Sequence, residues 1–310
     1  MKKALVLLLV LTIAAGAAFA QKLTIGFSQI GAESSWRTAE TDSVKATAAE
    51  RGIDLKFSDA QGKQENQIKA VRSFIAQKVK GIIIAPVVET GWEPVLKEAK
   101  AAKIPVVLLD RNIKVSDPTL YTTFIGSDFI WEGQAAAKWL AKKMDGKANI
   151  VELQGTVGAS AATDRQKGFM DALKAFPGMK VIKTQSGDFN RAGGKQVMEA
   201  FLKSDGDKIT AVYAHNDDMA LGAIQAIQEA GKVPGKDIII ISIDGVHDAF
   251  QAMVDGTLNC TVECNPLLGP KAFDAIARAV LGETLPKWTK QDDGIFPAEV
   301  AADVIASRKY

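Results

Sequence analysis

The sequence has few residues that commonly bind transition metals, with two cysteines and two histidines in 310 residues. His215 and His247 do not stand at a ligand spacing from Cys260 or Cys264, so no metal site is expected. No glycine-rich phosphate-binding fingerprint follows a predicted strand, and a nucleotide cofactor is not expected either. The sequence therefore favours a protein that works without a cofactor.

The two cysteines lie in the alternating segment 257–264, which predicts a β-strand. Strand residues four positions apart are separated by about 13 Å, whereas a disulfide needs Cα atoms within about 7 Å of each other. Free thiols are therefore expected at Cys260 and Cys264. A local turn that permits a bridge is the alternative.

The sequence also lacks an excess of charge of one sign. Lysine and arginine total 38, and aspartate and glutamate total 36. This balance lacks the basic field that nucleic acid or an anionic membrane requires. After the first 20 residues, no apolar run approaches the roughly 20 residues of a membrane span. Neither nucleic acid nor membrane insertion is expected.

The first 20 residues predict an export signal. Lys2 and Lys3 precede an almost unbroken apolar run over 4–15, and Ala18-Phe19-Ala20 offers a small-x-small cleavage site before Gln21. An N-terminal core helix is the alternative. No cysteine follows the cleavage site, so a lipid anchor is not expected. The pattern indicates a periplasmic protein whose signal is cleaved after Ala20.

The remainder alternates predicted strands and helices, which indicates parallel sheets with helices on both faces. The strands are predicted at 23–27, 54–57, 81–85, 104–109, 122–126, 149–153, 180–184, 210–213 and 238–243. The helices are predicted at 35–50, 64–77, 92–102, 129–144, 160–175, 191–203, 217–230 and 246–255. These strand–helix units are too many for a single sheet of ordinary size, and the alternation of strands and helices begins again near residues 126–128. An α/β fold with two lobes is predicted.

Polar side chains collect where the predicted strands end, and ligands of open α/β sheets bind beyond the carboxyl ends of strands. The residues concerned are Trp36, Arg37, Asp110, Arg111, Arg165, Asn216 and Asp244. Each has a structural alternative, because aspartate and asparagine often cap helices and Trp36 could be core. Five such ends meeting in one crevice favour a binding site. Aspartate, asparagine and arginine side chains can each bind two neighbouring hydroxyls, and aromatic rings cover the apolar face of a sugar. This combination is typical of carbohydrate recognition.

The chain resembles the ribose/galactose class of periplasmic sugar-binding proteins, which are components of ABC importers. The resemblance runs over essentially the whole chain after residue 20, and its most specific segments are 106–111, 152–165, 214–223 and 242–245. It implies that the seven residues above line a sugar site and that Phe189 adds an aromatic wall. Within the class, segments 26–37, 64–74 and 85–99 are most similar to the binders of galactofuranose.

Two positions differ from the ribose binders of this class. Trp36-Arg37 stands where they have two phenylalanines, and Cys264 stands where they have glutamine. We expect Arg37, with Glu40 one helical turn behind it, to donate to the exocyclic arm of galactofuranose. A buried donor left unpaired costs about 1–3 kcal/mol, so at least a roughly tenfold preference over ribose is expected, and a smaller one over galactopyranose.

The resemblance also implies a type I periplasmic binding protein, with two Rossmann-like lobes and a hinge of three chain crossings. The N-terminal lobe is expected at 22–126 plus 265–291 and the C-terminal lobe at 127–264 plus 292–310. The implied function is capture of a monosaccharide by a monomer, by hinged closure, for a membrane permease.

Two other functions fit parts of the pattern. A sugar-sensing protein that presents its ligand to a chemosensory or signalling receptor is one. A secreted glycoside hydrolase that uses Asp217 and Asp218 is the other, but adjacent residues at a helix start point in different directions. We therefore do not expect an enzyme.

Overall fold

The computed structural model describes residues 23–310, and the predicted export signal lies outside this range. The first strands and helices are β1 (Thr24–Gln29), α1 (Ser35–Glu50), β2 (Asp54–Asp59), α2 (Gln64–Ala76), β3 (Gly81–Ile84), α3 (Glu93–Ala101), β4 (Val106–Leu109) and β5 (Thr123–Gly126). They are followed by α4 (Phe129–Lys143), β6 (Lys147–Gln154), α5 (Ser160–Leu173), β7 (Gly178–Ser186), α6 (Arg191–Asp205), β8 (Ala211–Ala214), α7 (Asp217–Glu229), β9 (Ile239–Asp244), α8 (His247–Val254) and β10 (Cys260–Glu263). The last are α9 (Gly269–Val280), β11 (Trp288–Lys290), β12 (Ile295–Pro297) and α10 (Ala301–Val304).

The strands form two six-stranded sheets. The first has the order β11-β5-β4-β3-β1-β2 and the second β12-β10-β9-β8-β6-β7. All neighbouring strands are parallel except β10 and β12, which are antiparallel. The predicted α/β fold with two lobes and parallel sheets is confirmed.

The chain passes between the two sheets three times among the described residues. It leaves the first sheet after β5, returns to it after β10, and runs from β11 in the first sheet to β12 in the second. The exact residue bounds of the two lobes stay a prediction.

Each lobe has an apolar core on both faces of its sheet. Strand β3 is a run of glycine and three isoleucines, and all four residues are buried, as expected for a central parallel strand. One cluster packs the first sheet against α1 and α9, and another packs its opposite face against α2 and α3. Rigid sheets of this kind fix the positions of the loops that leave their strand ends.

Direct hydrogen bonds join the two lobes across the cleft. The backbone N–H and hydroxyl of Ser35 both donate to the Asp218 carboxylate at 2.8 Å. Further along, the Asn112 N–H donates to the Ser160 hydroxyl at 2.9 Å. The structure is therefore a closed form, with the lobes in contact.

Candidate functional site

A small cavity lined by residues of both lobes lies between them. Eight of the nine residues expected at the ligand site line it, and Glu40 does not. The full lining consists of Glu33, Ser34, Trp36, Arg37, Asp110, Arg111, Ala161, Arg165, Phe189, Asn216, Asp244 and Cys264.

Three residues of the cavity are held in backbone conformations that side chains other than glycine rarely adopt. The φ angles are 61° at Asp110, 132° at Asp244 and 59° at Phe189. Asp110 directly follows β4, and Asp244 ends β9. Such conformations cost about 1–3 kcal/mol each and cluster at functional sites. Asp110 and Asp244 thus adopt these conformations at two strand ends, one in each lobe, and Phe189 adopts its conformation in the loop after β7.

Arg37, near the start of α1, is surrounded by carboxylates. Its Nε donates to Glu33 Oε1 at 3.0 Å, one terminal nitrogen donates to Asp110 at 2.6 Å, and the other donates to Glu40. Burial alone would lower the pKa of Arg37, but the three carboxylates raise it. The guanidinium therefore stays charged and fixes the carboxylates around it.

Glu40 is completely buried behind Arg37. It accepts a hydrogen bond of 2.9 Å from the Gln29 amide as well as the bond from Arg37. Its position one helical turn from Arg37 agrees with the sequence argument. Arg37 donates one hydrogen bond to a protein carboxylate from each of its three nitrogens, which uses three of its five N–H groups. The expected donation from Arg37 to the sugar arm stays a prediction.

Of the three arginines that line the cavity, Arg111 makes the fewest hydrogen bonds to the protein. One terminal nitrogen donates to the Val87 carbonyl at 3.1 Å, and the carboxylates of Glu33 and Asp110 lie 3.7 Å from its other nitrogens. Its Nε has no hydrogen-bond partner within residues 23–310. Burial and Arg37 lower the pKa of Arg111 to about 10, which still leaves it charged at neutral pH.

Arg165, on α5, reaches the cavity from the second lobe. It donates to Glu132 at 2.7 Å and to the His215 carbonyl at 2.7 Å, and it lies 3.7 Å from Asp244. The guanidinium carbon also lies 5.0 Å from the centre of the Phe129 ring. These contacts leave Arg165 little freedom to move.

Aromatic rings from both lobes complete the walls. Trp36 donates its indole N–H to the carbonyl of Cys264, and it packs within the apolar cluster of the second lobe. Phe189 lies against Gly155, where a Cβ would be only 1.9 Å from the ring. Glycine at position 155 is therefore required for Phe189 to reach the cavity.

Asn216 has two roles that the sequence treated as alternatives. Its side-chain oxygen caps α7 by accepting from the Met219 N–H at 3.0 Å, and its amide donates to the Phe189 carbonyl at 2.9 Å. It also lines the cavity. Asn216 thus ties the start of α7 to the aromatic wall of the site.

Asp217 and Asp218 do not line the cavity. Asp217 accepts hydrogen bonds from the backbone N–H groups of Gly245 and Val246 at 2.7 and 2.9 Å. Asp218 accepts from Ser35 across the cleft. Each carboxylate is thus engaged in holding a loop or joining the lobes, and the two do not form a pair that faces a common substrate.

Four lining residues were not among the expected site residues, namely Glu33, Ser34, Ala161 and Cys264. Glu33 stands four positions before Arg37, and an acidic residue at that distance from an arginine at a helix start is a signal that could have identified it. Cys264 follows β10, and its thiol is buried and free, as expected for both cysteines.

The site holds no arrangement suited to a metal. Within residues 23–310, no group of three or more histidine, cysteine or carboxylate side chains could hold a metal ion. In the same range, no helix is both long and apolar enough to cross a membrane.

The fold and the site define a class of protein. The family described as "Periplasmic binding protein domain" matches residues 25–284, and the chain belongs to that family. The resemblance noted in the sequence is therefore confirmed.

Particular relatives narrow the comparison. The galactofuranose-binding protein YtfQ of Escherichia coli (strain K12) is 55% identical over 94% of this chain and 93% of its own length. The arabinose ABC transporter component of Shewanella sp. ANA-3, bound to α- and β-L-arabinofuranose, has a TM-score of 0.90 at 57% identity and covers 92% of this chain and 95% of that one. A Mycobacterium smegmatis protein in complex with β-D-fucofuranose has a TM-score of 0.91 at 50% identity, over 93% and 95% of the two chains.

Proposed function

We propose that this protein captures a monosaccharide in its furanose form, in the cavity between the lobes, as the substrate-binding component of an ABC importer. One observation carries the proposal: both lobes contribute arginine and aspartate side chains, and an aromatic ring, to one cavity. Such groups match vicinal hydroxyls and the apolar face of a sugar ring. A ligand that contacts both lobes stabilises their closure.

The ligands of the three relatives suggest which furanose is bound. L-arabinofuranose, D-fucofuranose and D-galactofuranose have the same configuration at the ring carbons that carry their hydroxyls and arm. They differ only in the length and hydroxylation of the exocyclic arm. We infer that the cavity recognises this common ring, and that galactofuranose is the sugar transported.

The proposal includes the cellular context. After cleavage behind Ala20, the protein would act as a periplasmic monomer that releases its sugar unchanged to a membrane permease. The family and the apolar run at 4–15 support this context. An additional role in presenting the sugar to a signalling receptor is compatible with the same site.

Calorimetry with three sugars tests the proposal. We expect galactose solutions to bind through their furanose fraction, which NMR quantifies, with at least a roughly tenfold preference over ribose. Methyl β-D-galactopyranoside, which cannot open to the furanose, should bind more weakly than galactofuranose. Equal binding of ribose would overturn the choice of sugar, and turnover of any glycoside would overturn the assignment as a binding protein.

A further inference from the structure

Arg308 lies after α10 and outside the cavity, yet it contacts the end of strand β9. Its Nε donates to the carbonyl of Gly245 at 3.0 Å, and one terminal nitrogen donates to Glu263 at 2.8 Å. Gly245 directly follows Asp244, which lines the cavity, whereas Arg308 does not. Arg308 therefore holds the backbone next to a side chain of the candidate site.

The two residues that Arg308 bridges belong to neighbouring strand ends. Asp244 and Glu263 stand directly opposite each other in the parallel pairing of β9 with β10. Arg308 holds the first strand end by a backbone carbonyl and the second by a carboxylate. An arginine suits this task because its rigid fork presents several donors in fixed directions.

Glu263 also joins two of the passages of chain between the lobes. The chain leaves the second sheet after β10 and returns to it at β12. The Glu263 N–H donates to the Gly294 carbonyl at 2.8 Å, and the Gly294 N–H donates to the Glu263 carboxylate at 3.3 Å. Glu263 thus fastens the outgoing passage to the returning one, and Arg308 connects both to the end of β9.

The side chain of Arg308 is itself firmly held. Only 8% of it is exposed, and a Cβ placed on Gly245 would lie 2.9 Å from its guanidinium. Three aromatic rings have their centres within 5.3 Å of the guanidinium carbon, namely Phe250, Phe296 and Tyr310. A guanidinium so enclosed has little freedom to follow a moving turn.

The backbone at Asp244 requires support of this kind. Its φ of 132° is a costly conformation that persists only when the surrounding structure fixes it. Asp217 holds the turn from one side by accepting from the N–H groups of Gly245 and Val246 at 2.7 and 2.9 Å. Arg308 holds the Gly245 carbonyl from the other, so its removal would free one side of the turn.

We propose that Arg308 is a positioning residue for ligand binding. It aims Asp244 into the cavity by fixing the Asp244–Gly245 turn to Glu263, and through Glu263 to two passages of the hinge. This inference rests on the proposed function, in which Asp244 binds the sugar. Arg308 acts on the sugar only through Asp244.

A double-mutant cycle tests the proposal, with galactose affinity measured by calorimetry for the wild type, Arg308→Ala, Asp244→Ala and the double variant. Arg308→Ala should weaken binding about tenfold when Asp244 is present, and less than about twofold when position 244 is alanine. Equal losses in the two backgrounds would mean that Arg308 only supports the lobe, and would overturn the proposal. The stoichiometry of each titration gives the folded, binding fraction.

Arg308→Lys guards against a failure of Arg308→Ala to fold. Lysine keeps an apolar stem among the three rings but replaces the fork by a single nitrogen, so it cannot reproduce both hydrogen bonds. Taken through the same cycle, it should weaken binding in the presence of Asp244 and have less than about a twofold effect in its absence. Equal losses in the two backgrounds would again overturn the proposal.

Tyr310→Phe is the matched control. It removes a hydroxyl that bonds both Arg308 and Glu263 but leaves the bonds of Arg308 to Gly245 and Glu263, so affinity should stay within about twofold of the wild type. A loss as large as in Arg308→Ala would overturn the proposal, as would wild-type affinity in Arg308→Ala or Asp244→Ala. Failure of the wild type to bind galactose would instead overturn the proposed function.

Discussion

The three buried arginines of the cavity differ in how fully the protein satisfies them. Arg37 and Arg165 each donate to a carboxylate at 3.0 Å or less, whereas Arg111 makes one hydrogen bond to a backbone carbonyl and has an unpartnered Nε within the described residues. An arginine with donors to spare can serve a ligand at little cost to the fold. Arg111 is therefore the arginine that we expect to contribute most directly to sugar binding.

Replacement of Arg111 by alanine should weaken sugar binding by about 1.5–3 kcal/mol, the contribution of one charged hydrogen-bonding group. Calorimetry gives the affinity, and a thermal melt without sugar should show little change in stability. Arg278→Ala, on the exposed face of α9, is the control and should alter neither quantity. A variant that unfolds but binds normally per folded molecule would show that Arg111 is structural.

Trp36 belongs to α1 of the first lobe but packs within the apolar cluster of the second. Trp36→Ala should therefore weaken sugar binding by a similar amount, through the lost burial of its ring. Trp288→Ala, at the exposed edge of the first sheet, is the matched control and should bind sugar normally. Equal affinities for the two variants would remove Trp36 from the site.

At the scale of residues, the sequence predicted those site residues that follow a strand, because ligands of open α/β sheets bind beyond the carboxyl ends of the strands. Asp110 and Asp244 follow apolar strands, so their place in the cleft could be foreseen. Glu33 was missed although it lies in the loop after β1 that leads to Trp36 and Arg37, because its spacing of four residues from Arg37 was not considered. Whether Asn216 caps a helix or lines the cavity could not be decided, since the same side chain does both.

At the scale of elements, β10 carries the two cysteines, Cys260 at its start and Cys264 just after its end. Both thiols are buried, and burial raises the pKa of each well above the ordinary value. Because the thiolate is the reactive form, neither thiol should react with a chromogenic disulfide reagent in the folded protein. Two thiols per chain should appear on adding denaturant without reductant. None appearing would indicate a disulfide.

The predicted boundaries of the internal parallel strands lie close to those observed. Their buried apolar runs, such as Val106–Leu109, are bounded by clear polar signals. The sequence did not predict α9, β11, β12 or α10. Strands β11 and β12 have three residues each and lie at sheet edges, where half-exposed positions leave little hydrophobic pattern. β10 pairs with β12 only after the chain has passed through the first sheet and returned. The periodicity of a short sequence segment cannot predict such a pairing.

At the scale of the whole molecule, buried carboxyl groups make stability depend on pH. Burial raises the pKa of Glu132 to about 7 despite the nearby Arg165. Since this pKa is higher in the folded chain than the ordinary value of 4.5, the folded state holds the proton more tightly. This contribution to stability is fully present below pH 4.5 and is lost as the pH rises through 7.

Comparison with Glu132→Gln isolates this effect, because burial lowers the pKa of His215 and so acts in the opposite direction in the wild type. Between pH 5 and 7, the wild type should lose stability relative to the variant, by up to about 1.4 kcal/mol per pH unit. Denaturant unfolding at several pH values measures the difference. Parallel pH profiles for the two proteins would contradict the raised pKa of Glu132.

Closure of the lobes should follow sugar binding, because the cavity is complete only when both lobes contribute to it. Small-angle scattering should show a smaller radius of gyration after galactose is added. Asp218→Ala removes the acceptor of the two Ser35 hydrogen bonds across the cleft and should need more sugar to reach the same compaction. An unchanged radius with saturating sugar would argue against hinged closure.

The central claim is that the cavity between the lobes selects a furanose. A crystal structure of the protein grown with galactose tests this most directly, since the solution offers both ring forms. The account predicts a five-membered ring in contact with Trp36, Arg111 and Phe189. A galactopyranose ring in the cavity, or sugar bound only elsewhere on the molecule, would contradict it.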